Sequence, residues 1–184
     1  MSWQGPRYVN DISRNKSGGI GPKTAVFTPD LLFESFTSLY FQQNKEFKMD
    51  KIRIQTMVKA PIDKVWDYWA NPKHIVNWSH ASEDWHTPFA ENDLRVGGNF
   101  TSRMEAKDGS FGFDFGGTYN EVERHRRIAY TMSDDRSVQT DFNESDGGIE
   151  ITQIFDPETQ NPVEMQRDGW QAILDNFRKY VETN

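Results

Sequence analysis

The sequence contains no cysteine. This absence excludes disulfide bridges, thiolate nucleophiles, zinc sites with cysteine ligands and iron–sulfur clusters. The sequence also has no apolar run near the roughly 20 residues that a membrane-spanning helix needs, and its N-terminus lacks the apolar core of a secretory signal. We therefore expect a cytoplasmic protein that does not insert into membranes.

Clusters of positive charge are missing too. The formal net charge is −7 at pH 7, and no run of lysine and arginine interleaves with aromatic residues on a common face. Nucleic acids and anionic membrane surfaces are recognised largely through such basic patches. We therefore expect neither of them as a partner.

Motifs of metal-dependent and nucleophilic catalysis are absent as well. The chain has no nucleophile elbow, no phosphate-binding glycine loop and no HExxH pair. His80 and His86 flank an acidic pair, but their spacing fits neither a helical pair of ligands nor a zinc motif. His74 and His125 lie among polar residues and are interpreted as surface groups. We predict no metal site and no cofactor.

Aromatic rings are what the chain does have, with 13 Phe, 6 Trp and 6 Tyr. A chain of 184 residues is long enough for one domain with a sizeable core. This core is expected to consist more of rings than of aliphatic side chains, and a core of this kind can surround a cavity.

Residues 161–182 carry apolar side chains at helical spacing. Asn161 is placed to cap the first turn, Pro162 suits the first helical position, and Glu164 stands where a capping-box carboxylate reaches back. The pattern predicts a long amphipathic helix that needs a cover for its apolar stripe. This stripe consists of Val163, Trp170, Ile173, Leu174, Phe177 and Val181.

Residues 51–78 predict a strand followed by a broken helix. Strict alternation from Lys51 indicates a half-buried strand, and Pro61 opens a helix that Asn71-Pro72 interrupts. A second short helical turn extends to Trp78. The inward residues of the strand are predicted to be Ile52, Ile54, Thr56 and Val58, and those of the helix Ile62, Val65, Trp66 and Trp69.

Six further strands follow as a meander with turn residues between them. Trp85, Thr87 and Phe89 are predicted to share one face of the second strand, and Gly116-Gly117 is placed for a bulge or sharp bend in the fourth. The inward faces of the third to seventh strands are predicted to carry Phe100, Ser102 and Met104; Phe111, Phe113, Phe115 and Tyr119; Ile128, Tyr130 and Met132; Val138, Thr140 and Phe142; and Ile149, Ile151, Gln153 and Phe155.

Residues 1–48 differ from the rest in being glycine-rich near Gly18 and positively charged. Apolar residues between Thr28 and Tyr40 predict a short amphipathic helix. Three interpretations stay open, namely a leader derived from an expression vector, translation from a start upstream of Met49, and an accessory helix. We expect an N-terminal extension over residues 1–48 and one domain over residues 49–184.

The order of one strand, two short helices, six strands and a closing helix is that of the α+β helix-grip fold. Four stretches resemble the family of the activator of heat-shock protein 90 ATPase, within the START-like (SRPBCC) superfamily. They are APIDKVW at 60–66, DLRVGGNF at 93–100, GGTYNEV at 116–122 and GWQAIL at 169–174. The resemblance implies a curved antiparallel sheet of six to seven strands wrapped around the C-terminal helix.

The resemblance also implies a deep, mostly apolar cavity between the sheet and this helix. Strand parity and the helical stripe then predict its ligand-binding residues, which are Trp66, Trp69, Trp85, Phe100, Phe113, Phe115, Tyr119, Tyr130, Phe142, Trp170 and Leu174. Ser102, Thr140 and Gln153 share these faces. A buried polar side chain needs a partner, which is either a neighbouring protein group or the polar end of a ligand.

Gly169 lies inside the predicted long helix, where glycine costs roughly 1 kcal/mol relative to alanine. Its missing side chain either leaves room for a ligand beside Trp170 or allows the helix to pack closely on a strand. We prefer the close-packing interpretation.

Three functions are considered. The first is binding of a hydrophobic small molecule without a cofactor. The second is a cyclase, hydrolase or dehydratase that uses cavity tyrosines, as the superfamily resemblance permits. The third is a protein-interaction module or homodimer related to the co-chaperone that names the family. Because no Asp, Glu or His is assigned to the inward face, binding is preferred over catalysis.

Overall fold

Seven strands and three helices make up residues 50–184, the part of the chain that the computed structural model describes. The predicted extension of residues 1–48 and its short helix lie outside the described residues. The elements, in chain order, are β1 (Ile52–Val58), α1 (Ile62–Ala70), α2 (Pro72–Trp78), β2 (Trp85–Asn92), β3 (Asn99–Ala106), β4 (Gly112–Glu123), β5 (Arg127–Met132), β6 (Ser137–Ser145), β7 (Gly148–Phe155) and α3 (Val163–Thr183).

The strands form one antiparallel sheet in the order β1-β7-β6-β5-β4-β3-β2. Strands β2 to β7 follow one another as a meander, and β1 pairs with β7, so that Ile52 lies opposite Phe155. The predicted α+β fold is therefore confirmed, with seven strands, two short helices after the first strand and a long C-terminal helix. The inward residues predicted for β1, β5, β6 and β7 are all buried.

Strand β2 departs from the predicted alternation. Thr87 is buried, but Phe89 is 48% exposed because the pairing register with β3 shifts between His86 and Phe89. A bulge of this kind reverses the parity of the residues that follow. The prediction that Phe89 faces inward is therefore wrong, and Ala90 packs against the core instead.

In β4, the bulge lies later than predicted, because the register with β5 shifts between Tyr119 and Glu121. Gly116 and Gly117 allow close approach instead. A Cβ at Gly116 would lie 2.7 Å from the Phe100 carbonyl oxygen, and one at Gly117 would collide with the Thr131 carbonyl oxygen. The two glycines thus let neighbouring strands curl tightly without steric conflict.

The broken helix forms as predicted. Asn71 separates α1 from α2, and its side-chain oxygen accepts a hydrogen bond from the Lys73 backbone N–H at 3.1 Å. Pro72 occupies the first position of α2, where its missing N–H leaves no bond unmade. Trp66 of α1 and Trp78 of α2 are buried in the core.

The start of α3 differs from the predicted capping box. Pro162 occupies the N-cap position with an extended backbone, and no side chain caps the helix. Instead, the buried Gln166 side chain donates hydrogen bonds to the Glu158 and Asn161 carbonyl oxygens and accepts one from the Glu158 N–H. Gln166 therefore joins the incoming loop to the first turn from within the helix.

The apolar stripe of α3 packs as predicted. Leu174, Phe177 and Val181 are almost fully buried, and the Phe177 ring lies edge-on to Trp69 and Trp78 at centroid distances of 4.8 and 4.9 Å. Although α3 is long, no helix within residues 50–184 is both long and apolar enough to cross a membrane. The helix instead supplies one wall of the core.

Both outer strands of the sheet are protected against pairing with another strand. On β1, the Gln171 side chain of α3 accepts a hydrogen bond from the Gln55 N–H and donates one to the Gln55 carbonyl oxygen. Glu182 accepts the Lys59 N–H at 2.8 Å. On β2, the bulge and Pro88 interrupt the free edge. Edge-to-edge association of two copies is therefore disfavoured.

Asp156 ties three segments together where β1, β6 and β7 meet. Its carboxylate accepts hydrogen bonds from the Ser137 N–H and hydroxyl at 2.9 and 2.6 Å and pairs with Lys51 at 2.9 Å. Burial opposes ionisation, but these partners outweigh it and lower the pKa of Asp156 to about 2.

Asp156→Asn is expected to lower the free energy of unfolding at pH 7, by an amount that shrinks as the pH falls from about 4 to about 2. The folded-state pKa lies below the unfolded value near 3.9, so the ionised group stabilises the fold above that value and loses this effect on protonation. Urea unfolding across this pH range measures the difference. Asp146→Asn, in the exposed β6–β7 turn, is the control with the same charge change; an equal loss for Asp156→Asn at all pH values would contradict the prediction.

Candidate functional site

An open groove of about 690 Å³ lies between the N-terminal half of α3 and the inner face of the sheet. Its walls are mostly apolar. They include six of the residues predicted to bind a ligand, namely Trp85, Phe113, Phe115, Tyr130, Gln153 and Trp170. Further apolar residues on its walls are Ala81, Met104, Met132, Met165 and Ile173.

Trp170 connects the groove to the core. One face of its ring stacks on Phe155 with a centroid distance of 4.0 Å, and its edge meets Phe115 at 5.7 Å. Phe155 is fully buried at the end of β7, whereas Phe115 is half-buried. The tryptophan therefore belongs to both the packed core and the groove wall.

Five other predicted ligand-binding residues lie in the closed core and not on the groove wall. The Phe142 ring meets Trp66 at 5.4 Å and Trp69 at 5.3 Å. Leu174 is 1% exposed, and the buried Thr140 hydroxyl accepts a hydrogen bond from Gln153 at 3.1 Å. Strand parity for Thr140 and Phe142, and helical spacing for the other three, correctly predicted their inward orientation. In the structure these residues pack in the core and do not line the groove.

Phe100, Ser102 and Tyr119 do not line the groove. Phe100 contacts Tyr119 and Tyr130 with centroid distances of 5.1 and 4.7 Å. The Tyr119 hydroxyl donates a hydrogen bond to Asn92 at 2.8 Å. Asn92 is a polar partner that sequence analysis missed, because the β2 bulge brings it inward.

Burial raises the pKa of both inward tyrosines well above the ordinary value. For Tyr119 the hydrogen bond to Asn92 opposes this effect, and for Tyr130 the nearby Arg136 charge opposes it. Both hydroxyls stay protonated at neutral pH, and only that of Tyr119 donates a hydrogen bond within residues 50–184. Neither is suited to act as a general base near pH 7.

Two charged residues on the groove wall were missed by sequence analysis. Arg136 and Glu158 both line the groove. Arg136 continues the inward alternation of β6 two residues before Val138, so strand parity extended beyond the apolar residues would have found it. Glu158 lies in the loop before α3, where no periodic pattern exists to indicate orientation.

Gly169 faces the groove. A Cβ built at this position would meet no atom within 4 Å, and the residue is part of the groove wall. The interpretation that its missing side chain allows close packing on a strand is therefore wrong. The glycine leaves open space beside Trp170.

Two of the histidines are not simple surface groups. The His74 ring stacks on Tyr68 at 3.8 Å, and its Nδ1 lies 3.1 Å from the Tyr180 hydroxyl. His125 adopts a left-handed backbone with φ of 65° and meets the edge of Trp66 at 5.7 Å. Within residues 50–184, no group of three or more His, Asp or Glu is placed to hold a metal ion.

Exposed rings surround one side of the groove mouth. Phe111 is 62% exposed and lies about 6.1 Å from both Trp85 and Phe113, and Phe113 also contacts Trp85. The four rings predicted for one face of β4 do share that face, but only Tyr119 is fully covered. We call Trp85, Phe111 and Phe113 the aromatic rim.

The sequence and the fold were compared with those of known proteins. Residues 59–182 match the family model described as activator of Hsp90 ATPase homolog 1-like protein. Among curated proteins, no relative was found.

Solved structures contain clear relatives. The AHSA1-like protein from Aeromonas hydrophila is 45% identical with a TM-score of 0.69, and the alignment covers 72% of this chain and 92% of that protein. A protein from Cytophaga hutchinsonii is 49% identical with a TM-score of 0.64, over 73% of this chain and 93% of the other. A Chromobacterium violaceum protein, 24% identical with a TM-score of 0.65 over 73% and 99% of the two chains, shares the fold.

The family match covers more than half of the chain and includes the four sequence stretches around residues 60, 93, 116 and 169. The two structural relatives above 40% identity are each matched over more than nine tenths of their own length. The chain therefore belongs to the family of activator of Hsp90 ATPase homolog 1-like proteins, with the START-like fold.

Proposed function

We propose that this protein binds a hydrophobic small molecule in the groove between the sheet and α3. The observation that carries the proposal is the open space beside Trp170 at Gly169, on a groove of about 690 Å³. This volume lies within the range of small-molecule sites, which are mostly apolar with a few polar groups that orient the ligand. A glycine inside a long helix lowers helix stability, and at this position it also keeps the groove open.

Binding is favoured over acid–base catalysis by the titratable groups on the groove wall. Tyr130 stays protonated because burial raises its pKa. The Gln160 N–H lowers the pKa of Glu158, and hydrogen bonds from Asn161 lower it further, so that this carboxylate is a weak base. A general acid or base works best with a pKa near the working pH.

A protein-interaction function related to the co-chaperone is the second candidate. The aromatic rim supports it, because an exposed apolar cluster is typical of a surface that contacts another protein. The matched family is named for activation of the Hsp90 ATPase. The rim and the groove share Trp85 and Phe113, so the two functions are distinguished by residues that belong to only one of them.

Gly169→Leu is expected to weaken binding of a neutral hydrophobic probe at least about tenfold. The leucine side chain would occupy the groove beside Trp170, while the exchange of glycine for leucine in a helix adds stability. Fluorescence titration with N-phenyl-1-naphthylamine measures the affinity.

Gly169→Ala is the matched control for this experiment. It is expected to raise the free energy of unfolding by about 1 kcal/mol and to change probe affinity less than about twofold, because its methyl group meets no atom within 4 Å. Unchanged probe binding by a folded Gly169→Leu variant would contradict the proposed groove.

Phe111→Ser tests the second candidate. Phe111 belongs to the rim but not to the groove wall, so we expect probe affinity to change less than about twofold and stability less than about 0.5 kcal/mol. ATP hydrolysis by an Hsp90-type chaperone is measured with the parent protein and this variant. If the parent protein raises the ATPase rate and Phe111→Ser does not, the co-chaperone function is supported. Equal ATPase rates with and without the parent protein would argue against it.

A further inference from the structure

Arg136 places a cation on the wall of a mostly apolar groove. Its side chain is only 20% exposed, whereas the other arginines that form ion pairs within residues 50–184 are at least 37% exposed. Removing a guanidinium from water is costly unless its charge and donors are matched. Its position therefore needs a partner that the chain or a ligand must supply.

The chain supplies a partner for one of the guanidinium nitrogens, Nε. Arg136 Nε donates a hydrogen bond to the Asp134 carboxylate at 2.8 Å. Within residues 50–184, Asp134 is the only carboxylate paired with the Arg136 side chain, and no hydrogen bond from its terminal Nη atoms is formed. The guanidinium has five donors, and its two Nη atoms form the fork that binds a carboxylate in a bidentate way.

The Tyr130 hydroxyl is a second donor on this part of the inner face. Tyr130 lies close to Arg136 because β5 and β6 are paired there: Tyr130 is opposite Val138, and the Met132 N–H donates to the Arg136 carbonyl oxygen at 2.8 Å. The Tyr130 ring lines the groove, and its hydroxyl forms no hydrogen bond to residues 50–184. Arg136 and Tyr130 together offer donors without an acceptor of their own.

The other charged group on the wall is already occupied. Glu158 accepts hydrogen bonds from the backbone N–H groups of Gln160 and Asn161 and from the Asn161 side chain. It forms no ion pair with Arg136, although the Arg136 charge contributes to lowering the pKa of Glu158. The Glu158 oxygens hold the loop before α3, and the Arg136 Nη atoms and the Tyr130 hydroxyl remain on the groove wall without an acceptor among residues 50–184.

We propose that the ligand is an amphipathic carboxylic acid, with its apolar chain in the groove and its carboxylate on the Arg136 guanidinium and Tyr130 hydroxyl. This inference rests on the proposed function and specifies the chemical class of the ligand. A carboxylate supplies the acceptors that both groups lack, and a charge-assisted, partly buried pair of this type is among the stronger hydrogen bonds in proteins. Asp134 holds the guanidinium in position through Nε.

The test compares three ligands with the same ten-carbon chain, namely decanoate, decanol and decylammonium, at concentrations where none forms micelles. Displacement of N-phenyl-1-naphthylamine at pH 7 gives each affinity. We expect the parent protein to bind decanoate at least about tenfold more tightly than decanol. Equal binding of decanoate and decanol, or tightest binding of decylammonium, would overturn the proposal.

Arg136→Met is expected to remove the preference for decanoate and to leave decanol binding within about twofold. Arg126→Met is the control, because it makes the same change in net charge at a residue that is 79% exposed and outside the groove wall. If Arg136→Met keeps the preference for decanoate, or if Arg126→Met loses it, the preference does not come from a pair between the ligand carboxylate and Arg136. The comparison of ligands on the parent protein decides the proposal even if Arg136→Met does not fold.

The two proposals fail in different ways. Equal binding of decanol and decanoate, blocked in both cases by Gly169→Leu, would remove the carboxylate preference and keep the groove as a binding site. Failure of the probe and of all three ligands to bind would overturn the groove and the carboxylate proposal together.

Discussion

The packing of α3 against the inner face of the sheet is the interaction on which the rest of this structure depends. Leu174, Phe177 and Val181 bury the C-terminal half of the helix, and Phe177 lies among the tryptophans of α1 and α2. Burying side chains of this size contributes about 1.5–3 kcal/mol each relative to exposure. The same helix closes the free edge of β1 through Gln171.

This packing also creates the groove, because α3 covers the sheet unevenly. Near β1 and β7 the helix lies in direct contact with the sheet, and Trp170 stacks on Phe155. Toward β3 and β4, contact is reduced to the edge of Trp170 on Phe115, and Gly169 adds no side chain. The aromatic rings of β4 therefore pass from a covered end at Tyr119 to an exposed end at Phe111.

The chemistry of the groove follows from which polar groups the fold has already paired. Gln153 donates to Thr140, Tyr119 to Asn92, and Glu158 receives the N–H groups of its own loop. Arg136 and Tyr130 differ in keeping donors that no residue in the described part of the chain accepts. The proposed preference for a carboxylate rests on these two donors, because a ligand without an acceptor would leave them unmatched.

Sequence analysis predicted the fold and most inward-facing residues, but only part of the groove. Alternation is a local property of a strand, so Ile52, Val138 and Ile151 were placed correctly from their neighbours alone. It failed at Phe89, where a bulge reversed the parity, and it overlooked Arg136 because only apolar and neutral polar residues were followed inward. The predicted cap at Asn161 failed because Gln166, from within the helix, satisfies the loop instead.

The sequence by itself determined the order of the elements and the apolar stripe of α3. It also determined where α1 begins and where α2 ends. Each of these features depends on spacing within a few residues. Only the tertiary structure decided which inward residues are core and which are groove. Trp66 and Trp85 carry the same ring and were assigned to the same cavity, yet Trp66 is buried in the core whereas Trp85 lies on the groove wall. That difference depends on how α3 and the curled sheet meet, which no local pattern contains.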